Sequence, residues 1–251
     1  MASSWISYND LAWTEEFLAN PADYEAEVKV YVDLIQGTVT DSPNTLLHLG
    51  SGAGGHDWIF KRHFDVTGVD LSQGMLNKAR DTNPEIEYIE GDMRTVRLNR
   101  QFDAVVIPDS IDYMATLDDL QKAIQTANLH LKTGGVLLIV AKTAETFQDN
   151  NFAYTGEKDN VHVTLLENNY INPFHANTYE ATLVYMIRQQ GELTIHTDHQ
   201  VLGLFPLETW EKLFRDAELS LFKSKLDGIY DQHLLNDGEY PLSIFVAQKT
   251  Q

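Results

Sequence analysis

The 251-residue chain contains no cysteine. That excludes disulfides, thiolate metal sites and a cysteine nucleophile, and it agrees with a cytoplasmic protein. No apolar run is long enough to cross a bilayer, so no membrane partner is expected. The opening Met1-Ala2-Ser3-Ser4-Trp5-Ile6-Ser7-Tyr8 has neither a basic start nor an apolar core, so no signal peptide is expected. Basic residues are scarce: 18 Lys and Arg stand against 37 Asp and Glu, a formal charge of −19. Such a field repels polyanions, which disfavours nucleic acid and suits a small neutral or cationic substrate. The densest basic cluster, Arg94, Arg97 and Arg100, is bracketed by acids and reads as a solvated face. The nine histidines are scattered, and His196 and His199 on one strand would point to opposite faces, so no metal site is expected.

What is present centres on Thr45-Leu46-Leu47-His48-Leu49-Gly50-Ser51-Gly52-Ala53-Gly54-Gly55, a short apolar strand that ends in a glycine cluster. Asp70 closes the next apolar run, Val66 to Val69, 20 residues after Gly50. One strand–helix–strand unit needs about that spacing, and an acid at the second strand tip can accept both hydroxyls of a ribose. The glycines let backbone approach a ligand closely. An adenosine-containing cofactor follows. Gly50-x-Gly52-x-x-Gly55 also satisfies the dinucleotide fingerprint, so nicotinamide or flavin enzymes compete with users of S-adenosylmethionine.

Apolar positions at helical spacing predict a helix over 22–36, and further helices are expected at 56–64, 117–131 and 207–217. Ser72 is expected to cap a helix whose buried side carries Met75, Leu76 and Ala79. Strands are expected at 86–89, 102–107 and 136–141, with Gly134-Gly135 as a helix C-cap pair. This alternation predicts an α/β fold, a doubly wound, Rossmann-like seven-stranded sheet with an antiparallel last strand. The terminal strands are 219–226 and 242–248. Between 160 and 204 the chain reads as β, with a hairpin at Gln190-Gly191-Glu192. The expected organisation is a cofactor domain of 1–144 and 206–251, carrying an antiparallel β insertion at 145–205 over the acceptor site.

Order and spacing favour S-adenosylmethionine. Asp92 stands just past the third strand, where a carboxylate can accept an adenine amino group, and the sheet ends in a strand pair suited to a hairpin. A dehydrogenase of this size would continue with parallel strands and typically carry a Tyr-x-x-x-Lys or histidine dyad. The chain resembles the class I S-adenosylmethionine-dependent methyltransferases, on Leu47 to Gly54, Val69 to Leu76, Gly91 to Arg94, Phe102 to Val106 and Leu131 to Gly135. Tyr8 to Ala12, Asp109 to Tyr113 and His199 to Phe205 resemble a small-molecule subgroup that includes aminosugar N-methyltransferases.

The resemblance implies methyl transfer to a small molecule, most plausibly at nitrogen, by a monomer or homodimer. Gly50, Ser51, Gly52, Gly54, Asp70, Leu71, Met75, Asp92, Met93 and Asp109 would bind the cofactor. Tyr8, Tyr113 and His199 would serve catalysis, with Asp109 and Tyr179 also candidates at the acceptor. Phe152, Tyr154, Tyr170, Phe174, Asn168, Asn169 and Asn172 in the insertion suit a polar ring-shaped acceptor. Two departures stand out. His48 occupies a position usually held by an acid, and Tyr113 one often held by histidine. His48 keeps open a non-catalytic cofactor-binding or regulatory protein, and the glycine fingerprint keeps open an NAD-dependent oxidoreductase.

Overall fold

The computed structural model describes residues 5–39, 43–235 and 238–250. The first four residues of the segment expected to lack a signal peptide lie outside this description. Among the described residues, no helix is long and apolar enough to cross a membrane.

Seven strands form the main sheet: β1 Thr45–Leu49, β2 Asp65–Asp70, β3 Glu87–Glu90, β4 Phe102–Pro108, β5 Leu131–Ala141, β10 Leu219–Leu226 and β11 Leu242–Lys249. Their order is β10-β11-β5-β4-β1-β2-β3. Strands β3, β2, β1, β4 and β5 pair in parallel, and β11 runs antiparallel to β5 and β10. The central strands are buried on both faces, which is why they read as near-continuous apolar runs. Helices α1 Glu15–Leu18, α2 Pro21–Thr38, α3 Asp57–Phe60, α4 Gln73–Thr82, α5 Leu117–Leu129 and α6 Leu207–Asp216 complete the chain. Two apolar clusters sandwich the sheet. One gathers Leu120, Ile124, Trp210 and Phe214, the other Tyr31, Ile35, Phe60 and Leu76. Ser72 caps α4 as expected, its Oγ accepting from Met75 N at 3.2 Å.

A second sheet of four antiparallel strands follows, β6 Asn150–Lys158, β7 Val161–Tyr170, β8 Thr178–Gln189 and β9 Glu192–Gly203. Its apolar face is closed by the N-terminal segment, where Leu11, Trp13, Phe17 and Leu18 pack against Val163, Leu165 and Leu202. The two ends of this excursion meet, since Ala144 N donates to Phe205 O at 3.2 Å.

Three expectations are corrected. The helix at 56–64 has a regular α portion of only Asp57–Phe60. Gly134-Gly135 is not a C-cap pair: α5 stops at Leu129, and Leu131 already pairs with Phe102 in β5, before a register shift. The excursion begins with β6, which carries too little apolar alternation to announce itself (Asn-Asn-Phe-Ala-Tyr-Thr-Gly-Glu-Lys).

Candidate active site

The carboxyl ends of β1, β2, β4 and β5 open into one cavity of roughly 820 Å³, the edge where open α/β sheets bind ligands. Its floor starts at the turn after β1. Gly50 has φ +76, and a Cβ there would overlap the Ser110 side chain, so only glycine lets this turn pass the β4 loop. Gly50 N and Ser51 N both donate to Val69 O, at 2.7 and 3.0 Å, which fixes the turn against β2.

Asp70 then braces two elements at once. Its Oδ2 accepts from Gly52 N and its Oδ1 from Ser72 N, each at 2.8 Å. Each oxygen keeps a second lone pair for another donor. Burial raises the Asp70 carboxyl above its ordinary range, and the two backbone donors pull against that shift. Leu71 and Met75 line the cavity beside it, as do Ser51, Gly52, Asp92 and Met93. Arg94 holds Asp92 closely: its Nε donates to Oδ1 at 2.9 Å and to Oδ2 at 3.0 Å, and it reaches Asp119 at 2.9 Å. The Arg94 hydrogen bonds hold the Asp92 carboxyl below its ordinary range. Arg94 is therefore part of the site and not only a solvated face.

Asp92→Ala should weaken S-adenosylhomocysteine binding by about 10-fold, and Asp92→Asn, which keeps an acceptor oxygen, by less. Calorimetry giving equal losses for both would remove the acceptor role.

The other half of the cavity is built from β4, β5, the N-terminal segment and the four-stranded sheet. Asp109 follows β4 with φ +56, and its Oδ1 has no hydrogen-bond partner. Lys142, just past β5, donates to Asp112 Oδ2 at 3.0 Å and lies 3.8 Å from Asp109 Oδ1. Its Nζ also faces the rings of Tyr179 and Tyr240, 5.5 Å from each centroid. Burial opposes the Lys142 ammonium, but Tyr179, Tyr240, Asp112 and Asp109 around it hold its proton on above the ordinary range. Tyr8 and Tyr113 join hydroxyls, and Tyr113 Oη donates to Gln200 Oε1 at 3.1 Å. Burial raises both phenols, so both stay protonated.

Burial pushes the Asp112 carboxyl up to about 6, against the pull of Lys142. The unfolded value lies near 4. A carboxyl raised in this way favours the folded state fully below about pH 4, and that contribution is lost as pH rises through about 6. Asp112→Asn should therefore flatten this part of the dependence of Tm on pH. A slope like the parent's would place the titration elsewhere.

Two assigned residues fall outside the cavity. His199 is exposed on β9, 3.5 Å from Glu180, because the strand alternation turns it away from the face that carries Gln200. Gly54 serves packing: a Cβ there would lie 2.7 Å from both Asn83 Nδ2 and Tyr88 Oη. Of the insertion residues expected to meet the acceptor, Tyr154 lines the cavity, while Phe174 is 90% exposed. Glu167, Tyr179 and Gln200 line it from the same sheet. A Tyr-x-x-x-Lys spacing does occur, Tyr154 to Lys158, but it lies on extended β6. Extended backbone sets the two residues about 13 Å apart, and Lys158 is exposed beside Glu16.

His48 and Asp57 of α3 are both buried and lie outside the cavity lining. His48 Nδ1 donates to Asp57 Oδ1 at 2.6 Å, and Tyr88 Oη donates to Asp57 Oδ2 at 2.9 Å. A glycine turn that admits no Cβ, a half-engaged carboxylate at the β2 tip and apolar Leu71 and Met75 together fit an adenosyl group. Gly50, Ser51, Gly52, Asp70, Leu71, Met75, Asp92 and Met93 are the residues that would hold it.

Fold and site together define a class I methyltransferase architecture. Residues 46–135 match the family model described as a methyltransferase domain. The chain is 36% identical over 125 residues to the dTDP-3-amino-3,4,6-trideoxy-alpha-D-glucopyranose N,N-dimethyltransferase of Streptomyces venezuelae, a match spanning 49% of this chain and only 52% of that one. It is 26% identical over 206 residues to the dTDP-4-amino-2,3,4,6-tetradeoxy-D-glucose N,N-dimethyltransferase of Saccharopolyspora spinosa, covering 79% and 80%. The crystal structure of DesVI from Streptomyces venezuelae superposes with a TM-score of 0.77 at 27% identity, over 90% of this chain and 92% of that one. A sugar N-methyltransferase from a Streptoalloteichus species reaches a TM-score of 0.80 over 96% and 92%, and at 23% identity it shows the shared fold. The family match is confined to residues 46–135, and over most of its length the chain is similar in fold to methyltransferases of known structure.

Proposed function

We propose that the protein transfers a methyl group from S-adenosylmethionine to the nitrogen of a small amine, a polar ring such as an aminosugar. The observation that carries this reading is the continuity of one cavity from the Gly50–Asp70 edge to a chamber of tyrosines and carboxylates. The names of the relatives place their own chemistry at an amino nitrogen. S-adenosylmethionine supplies an activated methyl on a sulfonium, so the amine lone pair forms the new C–N bond as the C–S bond breaks with its electrons to sulfur.

The chain's own task is then to align the amine, take up its proton and exclude water. Asp109 is placed to accept the proton at its carboxylate, Tyr8 and Tyr113 to position the acceptor, and residues 145–205 to cover it. On this reading 1–144 and 206–251 form the cofactor domain, and the protein works as a monomer or homodimer on a small molecule. The non-catalytic alternative drew on His48, which pairs with Asp57 away from the cavity lining, and it predicts no methyl transfer to any member of the panel below. Mass spectrometry after incubation with S-adenosylmethionine and a panel of small amines and alcohols tests the proposal. Methylated amines support it. A panel in which only alcohols gain a methyl group would contradict it.

A further inference from the structure

We propose that the acceptor is a free amine that docks as its ammonium, and that nucleotide-linked or otherwise phosphorylated acceptors are excluded. This rests on reading the cavity as a methyltransferase site. The relatives named as dTDP-aminosugar dimethyltransferases are thereby set apart from this chain in acceptor class.

The first support is an inventory of cations. Of the 18 lysines and arginines in the sequence, only Arg94 and Lys142 line the cavity among the described residues, and the residues outside the description include none. Both are already engaged. Arg94 pairs with Asp92 and Asp119 on the cofactor side. Lys142 pairs with Asp112 and stands beside Asp109. His56, the other basic side chain on the wall, is held by Glu27 at 2.5 Å. A diphosphate is bound by charge-assisted donors, arginine forks above all. Here it would meet no unpaired cation among the described residues of the cavity wall, and it would face Asp109, Asp112, Glu167 and Glu15.

The second support is what those acids lack. Asp109 Oδ1 is itself covered, on a side chain 47% exposed, and has no donor within hydrogen-bond distance, since Lys142 Nζ stands off at 3.8 Å. Its residue also sits at φ +56, a backbone state that non-glycine residues occupy at a cost where the surrounding structure enforces it. An ammonium N–H supplies the missing donor.

The third support is the aromatic wall. Tyr8, Tyr113, Tyr154, Tyr179 and Tyr240 line the same chamber, and aromatic faces with nearby carboxylates are the chemistry of ammonium recognition. Lys142 already exploits it, its ammonium lying over the rings of Tyr179 and Tyr240. Burial holds the Asp109, Glu15 and Glu167 carboxyls above their ordinary range, a cost that an arriving cation relieves. Charge, orphaned acceptor and ring faces point to one ligand charge.

The test uses the full-length protein saturated with S-adenosylhomocysteine. Calorimetry with dTDP alone should give no binding heat, while a panel of free aminosugars headed by 3-amino-3-deoxyglucose should contain binders and glucose should not bind. Asp109→Asn should weaken those binders by about 10-fold or more, with unfolding by circular dichroism like the parent's. In turnover, 3-amino-3-deoxyglucose should be methylated with a kcat/KM at least about 100-fold above that of its dTDP-linked form, the differential transition-state binding that two misplaced phosphates would cost. Binding of dTDP with a Kd below roughly 0.1 mM would overturn the proposal. So would preference for the linked sugar, or a panel in which no free amine binds. Failure of S-adenosylhomocysteine itself to bind would instead remove the proposed function.

Discussion

Asp70→Ala is expected to weaken S-adenosylhomocysteine binding by about 100-fold. Hydrogen bonds to a charged acceptor are worth roughly 1.5–3 kcal/mol, and two ribose hydroxyls would lose theirs together. The loss reaches further in this chain. Asp70 accepts from Gly52 N and Ser72 N, so alanine also frees the glycine turn and the start of α4. Ser72 in turn donates to Tyr8 O at 2.5 Å, which couples the β2 tip to the N-terminal segment over the cavity. Asp70→Asn keeps an acceptor oxygen, so its loss should lie between alanine and the parent. Calorimetry on the three proteins measures this. Parent-like affinity in Asp70→Ala would mean that the ribose does not lie at the β2 tip.

Replacement of residues 145–205 by a short linker is expected to reduce turnover by more than about 10³-fold, because positioning and exclusion of water supply much of the acceleration. The linker is feasible because Ala144 and Phe205 meet backbone to backbone. The excised segment carries Tyr154, Glu167, Tyr179 and Gln200, but none of the residues that would hold the cofactor. Binding of S-adenosylhomocysteine should therefore stay within roughly 10-fold of the parent, the loss coming from Leu11 and Phe17, which give up their apolar partners. Retained turnover in a folded variant would move the acceptor away from this sheet.

The sequence was most legible where local rules act alone. The stretches Phe102–Pro108 and Val136–Ala141 are buried on both faces, and such strands announce themselves as continuous hydrophobic runs. The Gly50–Asp70 spacing likewise follows from the length of one β–α–β unit. What escaped depends on partners distant in sequence. Lys142 reads as an ordinary charge after an apolar strand until the fold sets Asp112, Tyr179 and Tyr240 around it. His48 reads as a lone substitution until α3 sets Asp57 beside it. Strand β6 escaped because its hairpin partner β7 supplies the order that its own residues do not; the turn at Asp159 and Asn160, with φ of 52 and 63, was the signal available. His199 was misplaced because one step along a strand exchanges the buried face for the exposed one.

The central claim is that the Gly50–Asp70 edge holds S-adenosylmethionine. Titration calorimetry of the purified protein with S-adenosylhomocysteine and, separately, with NAD tests it most directly. The account predicts saturable binding of S-adenosylhomocysteine at one site per chain, weakened by Asp70→Ala, and no heat with NAD. Binding of NAD without binding of S-adenosylhomocysteine would contradict it.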